Sequence, residues 1–394
     1  MENKKTMRWC DILVVIFFLI QPILDVLACF DVGMIHILIR GSFFCFMIVY
    51  LLWNPKMRKW MIPYLLAIGM YLAYYLFYFQ LPLIDTISNT MKLFYLPVVL
   101  LFFYVFTSKR MHPSVAMADL TIYVSLFVLS YLFGFGFNNY DPTNSTKLGF
   151  RGVFNSINEI SAILIALLPI ATKFLLRYRK WIWLLILYGL TIATSLLMGT
   201  KVTLGGIVLV ILYFVIPKLY RKWKRFSVAS KSLSIAICCA VLLLGCYLLP
   251  FTTTYQNMVI QAEFFQVDRI FSLDFINRVL FNDRLSFLAI NWNEFLLANP
   301  IEWLFGVGFN TAYKLVEIDF FDVLFRYGIV GWILLFLPIV LAFWKLPKKS
   351  VYFFSLVLLI LISSTSGHVL IYPAVAIYFG FPILFSKKEQ KNWC

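Results

Sequence analysis

Apolar runs long enough to cross a bilayer recur along the whole of this chain. A helix needs about 20 apolar residues to span ~30 Å of hydrocarbon, and 62% of this sequence is hydrophobic while only 13% is charged. Because only helices and closed barrels can cross a bilayer, we predict an all-α polytopic integral membrane protein with about 12 transmembrane helices, forming a single domain over residues 1–394. The predicted spans are 12–30, 34–53, 61–80, 91–107, 117–136, 157–176, 181–198, 202–217, 233–250, 320–343, 351–364 and 367–385.

The basic residues predict how the chain is oriented in the membrane. Of the 34 lysines and arginines, 24 fall at the termini or in alternate loops, within residues 4–8, 56–59, 109–110, 173–180, 218–231, 345–349 and 387–391. Short loops rich in Lys and Arg stay in the cytoplasm, so we expect both termini to be cytoplasmic. The formal net charge of +16 therefore reflects membrane topology, and we expect no nucleic-acid partner.

One large extracytoplasmic loop is expected at residues 251–320, the longest interruption between apolar runs. This loop and the start of the following span hold nine of the 18 acidic residues: Glu263, Asp268, Asp274, Asp283, Glu294, Glu302, Glu317, Asp319 and Asp322. The chain thus concentrates its acidic chemistry on one side of the bilayer.

Within that loop, apolar residues at helical spacing predict an interfacial amphipathic helix at about 281–298. Arg284, Asn291 and Glu294 fall on the opposite face from the apolar residues, which are Phe281, Leu285, Leu288, Trp292, Phe295 and Leu296. Such a helix lies on the membrane surface, at the level of lipid headgroups. A lid that only packs against the helical bundle remains the alternative.

Charged residues inside the predicted spans indicate a polar cavity that opens to the outside. Asp25, Arg40, Lys92, Glu159 and Lys201 all lie towards the predicted outer ends of their helices, and Asp119, near the inner end of the fifth span, is the exception. Ionisable groups are costly in hydrocarbon, so they normally face a watery cavity or one another. Asp25 and Arg40 could equally form a purely structural ion pair.

No metal site and no cofactor are expected from the sequence. The three histidines, His36, His112 and His368, show no metal-ligand spacing, and the seven cysteines form no CxxC pair. Zinc sites are normally recognisable by such spacings.

Three short polar segments carry the remaining chemistry, and all are predicted at the outer face. The first has Arg151 before Asn155-x-x-Asn158-Glu159, and the second is the turn Gly199-Thr200-Lys201, which lacks the spacing of a phosphate-binding P-loop. The third contains Arg278, Arg284-Leu285, Gly306-x-Gly308-Phe309, Glu317-x-Asp319-x-x-Asp322 and Gly328-x-x-Gly331.

Taken in this order over residues 145–335, these segments resemble the O-antigen ligase/polymerase superfamily, and most closely the Wzy-type capsular and O-antigen polymerases. The resemblance implies a GT-C-like, metal-independent glycosyltransferase in the bacterial cytoplasmic membrane, acting in capsule or O-antigen biosynthesis. Its substrate would be an undecaprenyl-diphosphate-linked oligosaccharide repeat at the outer face, where one repeat is joined to another and undecaprenyl diphosphate is released. Besides membrane lipid, a flippase and a chain-length regulator are the implied partners.

The resemblance also suggests which cations bind the diphosphate. A departing diphosphate needs cationic stabilisation, and a guanidinium matches phosphate geometry. Arg151, Lys201 and Arg278 are the binding candidates, and Arg284 is assigned a catalytic role. Arg151 could instead anchor its helix to lipid phosphates, and Lys201 could be an interfacial lysine that reaches towards headgroups.

The attacking sugar hydroxyl needs a general base or an orienting acceptor. Glu317 is the first candidate, Asp319 the second and Asp322 the third. Asn158 could bind sugar or could cap the sixth span.

Glu317-Ile318 stands where O-antigen ligases usually carry His-Asn, which favours a polymerase. Two alternatives stay open: a ligase that moves finished glycan to another acceptor, and a flippase or transporter. A flippase would need polar groups along its whole path, whereas the intramembrane charges here crowd the outer half.

Overall fold

The fold is all-α and polytopic, as predicted from the sequence. The computed structural model describes residues 2–32, 34–108, 111–139, 149–223, 247–267, 272–308, 315–367 and 369–391, with residues 227, 230, 232, 236 and 243. Nine helices in this part of the chain are long and apolar enough to cross a membrane, and Val351–Ser366 and Pro373–Lys387 are shorter apolar helices. The predicted span at 233–250 lies largely outside the described residues.

The long helices follow the predicted apolar runs closely. They are α1 (Glu2–Cys29), α2 (Ile35–Trp53), α3 (Pro55–Ala73, continued as a π-helix at Tyr74–Tyr78), α4 (Leu83–Val105), α5 (Pro113–Leu132), α6 (Ile157–Arg177), α7 (Trp181–Met198) and α8 (Lys201–Trp223). Helices α4 and α6 are the most deeply buried of these. Between α5 and α6, Phe137–Asn138 (β1) and Phe150–Gly152 (β2) form a small antiparallel pair.

The segment predicted as a large loop is mostly helical. It contains α9 (Thr253–Phe264), a π-helix at Phe275–Leu280, α10 (Arg284–Leu296) and the short α11 (Pro300–Phe305). The chain then continues through α12 (Asp319–Lys345), α13 (Val351–Ser366), α14 (Pro373–Ala376) and α15 (Gly380–Lys391).

The last apolar run becomes helical later than expected, at Pro373 instead of residue 367. Gly367 ends α13 with a φ of 60°, a left-handed conformation that favours glycine. The backbone N–H groups of Val369 and Leu370 then donate to the Asp319 carboxylate, each at 2.8 Å. These two bonds attach the backbone at residues 369–370, which precede α14, to the start of α12.

Two glycines allow the loop after α11 to pack directly on a kink in α12. Gly328 interrupts α12 with φ 65° and ψ −172°, and Gly306 has a φ of 92°. A Cβ at Gly306 would lie 2.1 Å from the Arg326 carbonyl oxygen, and a Cβ at Gly328 would lie 2.4 Å from the Leu304 carbonyl oxygen. The first glycine of the Gly-x-Gly motif and the first glycine of the Gly-x-x-Gly motif therefore allow the backbone after α11 to lie directly against the backbone of α12.

Candidate functional site

A polar cavity of about 440 Å³ lies where α6, α8 and α12 begin and where α13 ends. Its lining includes four residues that the sequence singles out, Asn158, Lys201, Arg284 and Glu317. These four residues come from widely separated parts of the chain, and the fold brings them to one end of the bundle.

A hydrogen-bonded turn positions Arg284 at the wall of this cavity. Asn282 and Asp283 take left-handed backbone conformations, with φ values of 52° and 63°, directly before α10 begins. The Asn277 amide braces the turn, because its oxygen accepts from the Leu285 N–H at 3.0 Å and its nitrogen donates to the Asp283 carboxylate at 3.2 Å. Arg284 is consequently held at the first position of the helix and is 6% exposed.

The guanidinium of Arg284 contacts both walls of the cavity. One terminal nitrogen donates to the Glu317 carboxylate at 2.6 Å, and the other donates to the Thr365 carbonyl oxygen. The buried Nε has no hydrogen-bond partner among the described residues. Since an unmade hydrogen bond of a buried charged group is costly, this N–H is a donor suited to a bound anion.

Glu317 sits on a strained turn immediately before α12. Its φ is 60°, a conformation that is unusual for a residue with a side chain and that clusters at functional sites. Two neighbours hold the turn. Asp322 accepts from the Val316 N–H at 2.9 Å, and Gly367 packs so closely that a Cβ there would lie 2.6 Å from the Glu317 Cα. The Glu317 side chain remains 44% exposed, so its carboxylate is accessible from the cavity.

Lys201 begins α8 two residues after the left-handed Gly199. Its ammonium donates to the Gln261 side chain at 3.1 Å and to the Val279 carbonyl oxygen. Gln261 in turn donates to the Asn282 side chain at 3.0 Å. Lys201 is thus connected through one glutamine to the turn that presents Arg284.

Asn158 has a different role from helix capping. Ser156 occupies the N-cap position of α6, and the Asn158 side chain donates to the Ser366 carbonyl oxygen at 2.6 Å. This bond joins the start of α6 to the end of α13 at the wall of the cavity.

Three other predicted site residues do not line this cavity. Arg151 lies in β2 over the Phe137 ring, at 5.4 Å from its centroid, and Arg278 lies 5.9 Å from the centroid of the Phe265 ring. Asp319 is 1% exposed and accepts the two backbone bonds that hold the loop before α14. None of these three residues is among those that line the cavity with Arg284 and Glu317.

Polar residues of α9 also line the cavity, and our reading of the sequence missed them. Asn257 and Gln261 lie on its wall, and together with Thr254 they form a buried polar face of α9. Their spacing of three and four residues is the pattern of one helix face. This spacing can be read from the sequence, and it predicts a polar helix face that contacts a polar neighbour.

A second polar cavity, of about 420 Å³, adjoins the first, and Ser156 lines both. Its lining includes Asp25, Arg40, Lys92 and Glu159, the intramembrane charges noted in the sequence. Arg40 donates to Asp25, so these residues form an ion pair and line a cavity at the same time. Among the described residues, no group of three or more His, Cys, Asp or Glu side chains is placed to hold a metal ion.

Comparison with known proteins agrees with this architecture. No curated protein matches the chain. The sequence profile of a family described as "O-antigen ligase like membrane protein" matches residues 8–270 and 263–385, which together cover most of the chain. The chain therefore belongs to the family of O-antigen ligase like membrane proteins.

Proposed function

We propose that this protein is a polysaccharide polymerase that joins undecaprenyl-diphosphate-linked oligosaccharide repeats at the outer face of a bacterial cytoplasmic membrane. Family membership indicates a glycosyltransferase-type activity, of the ligase or polymerase kind, on a lipid-linked polysaccharide. The observation that carries the proposal is the contact between Arg284 and Glu317 in a polar cavity that also contains Lys201.

The proposed reaction exchanges one bond at the anomeric carbon for another. The bond between the anomeric carbon of the donor glycan and the diphosphate oxygen breaks, and the bonding electrons leave with undecaprenyl diphosphate. A hydroxyl oxygen of the acceptor repeat forms the new glycosidic bond, and its proton passes to the Glu317 carboxylate. A carboxylate within hydrogen-bonding reach of the attacking hydroxyl can act as its general base.

Arg284 and Lys201 stabilise the leaving diphosphate in this proposal. Negative charge grows on the diphosphate as the bond breaks, and preorganised cations in a water-poor site stabilise such charge strongly. Arg284 touches Glu317 through one nitrogen and keeps its Nε for another acceptor. The same guanidinium can therefore position the base and bind the leaving group.

The two adjoining cavities provide room for two substrates. A polymerase must hold a donor glycan and an acceptor repeat together, and cavities that share Ser156 as a wall suit this requirement. We assign the diphosphate of the donor to the Arg284 cavity. Lys92 and Glu159 of the second cavity offer a donor and an acceptor of hydrogen bonds to sugar hydroxyls.

The proposed orientation follows from the basic loops. Lysines and arginines gather at the end of the bundle opposite to the Arg284 cavity, for example Lys173 and Arg177 at the end of α6 and Lys345 at the end of α12. Basic ends remain cytoplasmic, so the cavity faces outwards. Leu285, Trp292 and Leu296 of α10 are exposed and could rest on the membrane surface, whereas Phe295 of the same predicted apolar face packs in a core cluster. A flippase and a chain-length regulator are the partners of this proposed pathway.

A ligase is the second candidate, because the matched family includes ligase-type proteins. The presence of Glu317-Ile318 where ligases usually carry His-Asn favours the polymerase. The two functions differ in the acceptor, which is a second lipid-linked repeat for a polymerase and a different molecule for a ligase.

The test is a gel of surface and lipid-linked glycans from the source bacterium without this gene, complemented with wild type or with Arg284→Ala. If the protein is a polymerase, the deletion strain should accumulate single repeats. Complementation with wild type should restore long polymer, and complementation with Arg284→Ala should not. Long polymer that accumulates on its lipid carrier in the deletion strain would identify a ligase. Repeats trapped on the cytoplasmic side would identify a flippase and would overturn the assignment of the site.

A further inference from the structure

A second type of pocket lies at the basic end of the bundle, away from the polar cavities. It is a crevice of about 710 Å³ whose lining comes from α3, α4, α12 and α15. Its walls are mainly apolar and include Leu100, Pro338 and Leu341. The side chains of Trp60 and Leu341 are 54% and 37% exposed, so the crevice opens to the surroundings of the bundle.

Three lysines from three different helices line this crevice. Lys56 comes from the first turn of α3, Lys345 from the last residue of α12 and Lys387 from α15. None of the described residues that line the crevice is acidic. The convergence of three positive charges, with no carboxylate among the lining residues that the structure describes, indicates an anionic ligand.

The fold positions one of these ammonium groups. Lys387 donates to the carbonyl oxygens of Phe103, at 2.8 Å, and of Tyr104, which belong to the last turn of α4. Carbonyls at a helix end lack intrahelical partners, so Lys387 satisfies two of them and is held beside the crevice. Lys56 and Lys345 are exposed and can move towards a ligand.

We propose that this crevice binds the headgroup of an anionic phospholipid of the cytoplasmic leaflet. The phosphate would lie among Lys56, Lys345 and Lys387, and the acyl chains would follow the apolar wall at Leu341. Basic pockets between transmembrane helices on the cytoplasmic side bind such headgroups, and an exposed tryptophan such as Trp60 suits the interface between headgroup and hydrocarbon. The apolar wall distinguishes a lipid from free phosphate. This inference does not depend on the proposed glycosyltransferase activity.

The test compares lipid retention by the purified full-length protein in neutral detergent, measured by native mass spectrometry. Phosphatidylglycerol and phosphatidylcholine with identical acyl chains are added in equal amounts. We expect wild type to retain phosphatidylglycerol preferentially, and the double variant Lys56→Gln/Lys345→Gln to lose about tenfold or more of that preference, because each lysine near a headgroup contributes about a fivefold change.

Two further variants control for charge and for folding. Lys348→Gln/Lys349→Gln removes two exposed lysines that follow α12 but do not line the crevice, and it should bind like wild type. Lys56→Arg/Lys345→Arg keeps both charges and should retain the preference. Equal retention of the two lipids by wild type, or an equal loss in the Lys348/Lys349 control, would overturn the proposal. Displacement of the lipid by inorganic phosphate alone would also overturn it, by identifying a phosphate site.

Discussion

Arg284 and Glu317 lie 33 residues apart in the chain, yet the guanidinium of one is 2.6 Å from the carboxylate of the other. Each side chain is presented by its own braced turn, with Asn277 holding the first and Asp322 holding the second. Both turns contain residues with left-handed backbone. Strain of this kind persists only where the surrounding structure enforces it. Here the two strained turns place a guanidinium and a carboxylate together in one cavity.

Glu317→Gln should abolish most of the activity without destabilising the protein. Glutamine can still accept a hydrogen bond from Arg284, but it cannot take a proton from the attacking hydroxyl. General-base catalysis typically contributes about 10²–10⁴-fold, so the rate of glycan elongation should fall by about that factor. The measurement is the initial rate with purified protein, together with its melting temperature.

The matched control is Glu263→Gln, which neutralises an exposed acid on α9 that does not line the cavity. It should leave the elongation rate unchanged. If Glu317→Gln retained the wild-type rate, Glu317 would not be the base.

Asp319→Ala should act on stability, in contrast to Glu317→Gln. The Asp319 carboxylate accepts the N–H groups of Val369 and Leu370, and both residues are buried. An unsatisfied buried N–H costs about 1–3 kcal/mol, so the variant should melt at a clearly lower temperature. A normal melting temperature with a lost activity would instead return Asp319 to the list of candidate bases.

Alanine at Gly306 or at Gly328 should prevent normal folding. Both glycines combine a positive φ with an extended ψ, a conformation that costs a residue with a Cβ about 1–3 kcal/mol, and each added Cβ would also meet backbone atoms closer than 2.5 Å. We expect little folded protein from either variant on fluorescence size-exclusion chromatography.

Two other glycines supply the control for that experiment. An added Cβ at Gly41 or at Gly69 would meet nothing within 4 Å, and both residues lie inside helices. Gly41→Ala and Gly69→Ala should therefore yield wild-type amounts of folded protein. Equal yields from all four variants would contradict the role of the close approach between Gly306 and Gly328.

Lys201→Met should weaken substrate binding more than it slows the chemical step. The ammonium lies in the cavity beside Gln261 and Val279, where we assign it to the diphosphate. A hydrogen bond to a charged group contributes about 1.5–3 kcal/mol, so KM for the lipid-linked donor should rise about tenfold or more. Lys201→Arg should restore part of that loss, and an unchanged KM in Lys201→Met would place the diphosphate elsewhere.

The transmembrane architecture could be predicted because hydrocarbon imposes a simple rule on sequence. Runs such as the one within Ile157–Arg177 are apolar for about the required length, and the helix forms there. The start of the last helix was predicted too early. Hydropathy does not show that Gly367 ends α13, or that the backbone of Val369 and Leu370 is hydrogen-bonded to Asp319. Such hydrogen bonds join segments that are distant in the sequence, so they cannot be predicted from local composition.

The site was only partly predictable for a similar reason. Arg284, Glu317, Lys201 and Asn158 stood out within the short polar segments predicted at the outer face, and the fold places them on one cavity. Arg151 and Arg278 have the same residue type and the same predicted side of the membrane, but each lies over a phenylalanine ring and neither lines that cavity. The residue type and the predicted side of the membrane place a charged residue at one end of the bundle. Which residue it contacts there is determined by tertiary packing.

The most direct test of the account is elongation by the purified protein in liposomes, supplied with undecaprenyl-diphosphate-linked repeats from the deletion strain. We predict that wild type converts single repeats to a ladder of longer glycans and releases undecaprenyl diphosphate. Arg284→Lys, which keeps the charge but loses the fork that reaches both Glu317 and Thr365, should form no ladder. A wild-type protein that leaves single repeats unjoined, or an Arg284→Lys variant that elongates them normally, would contradict the account.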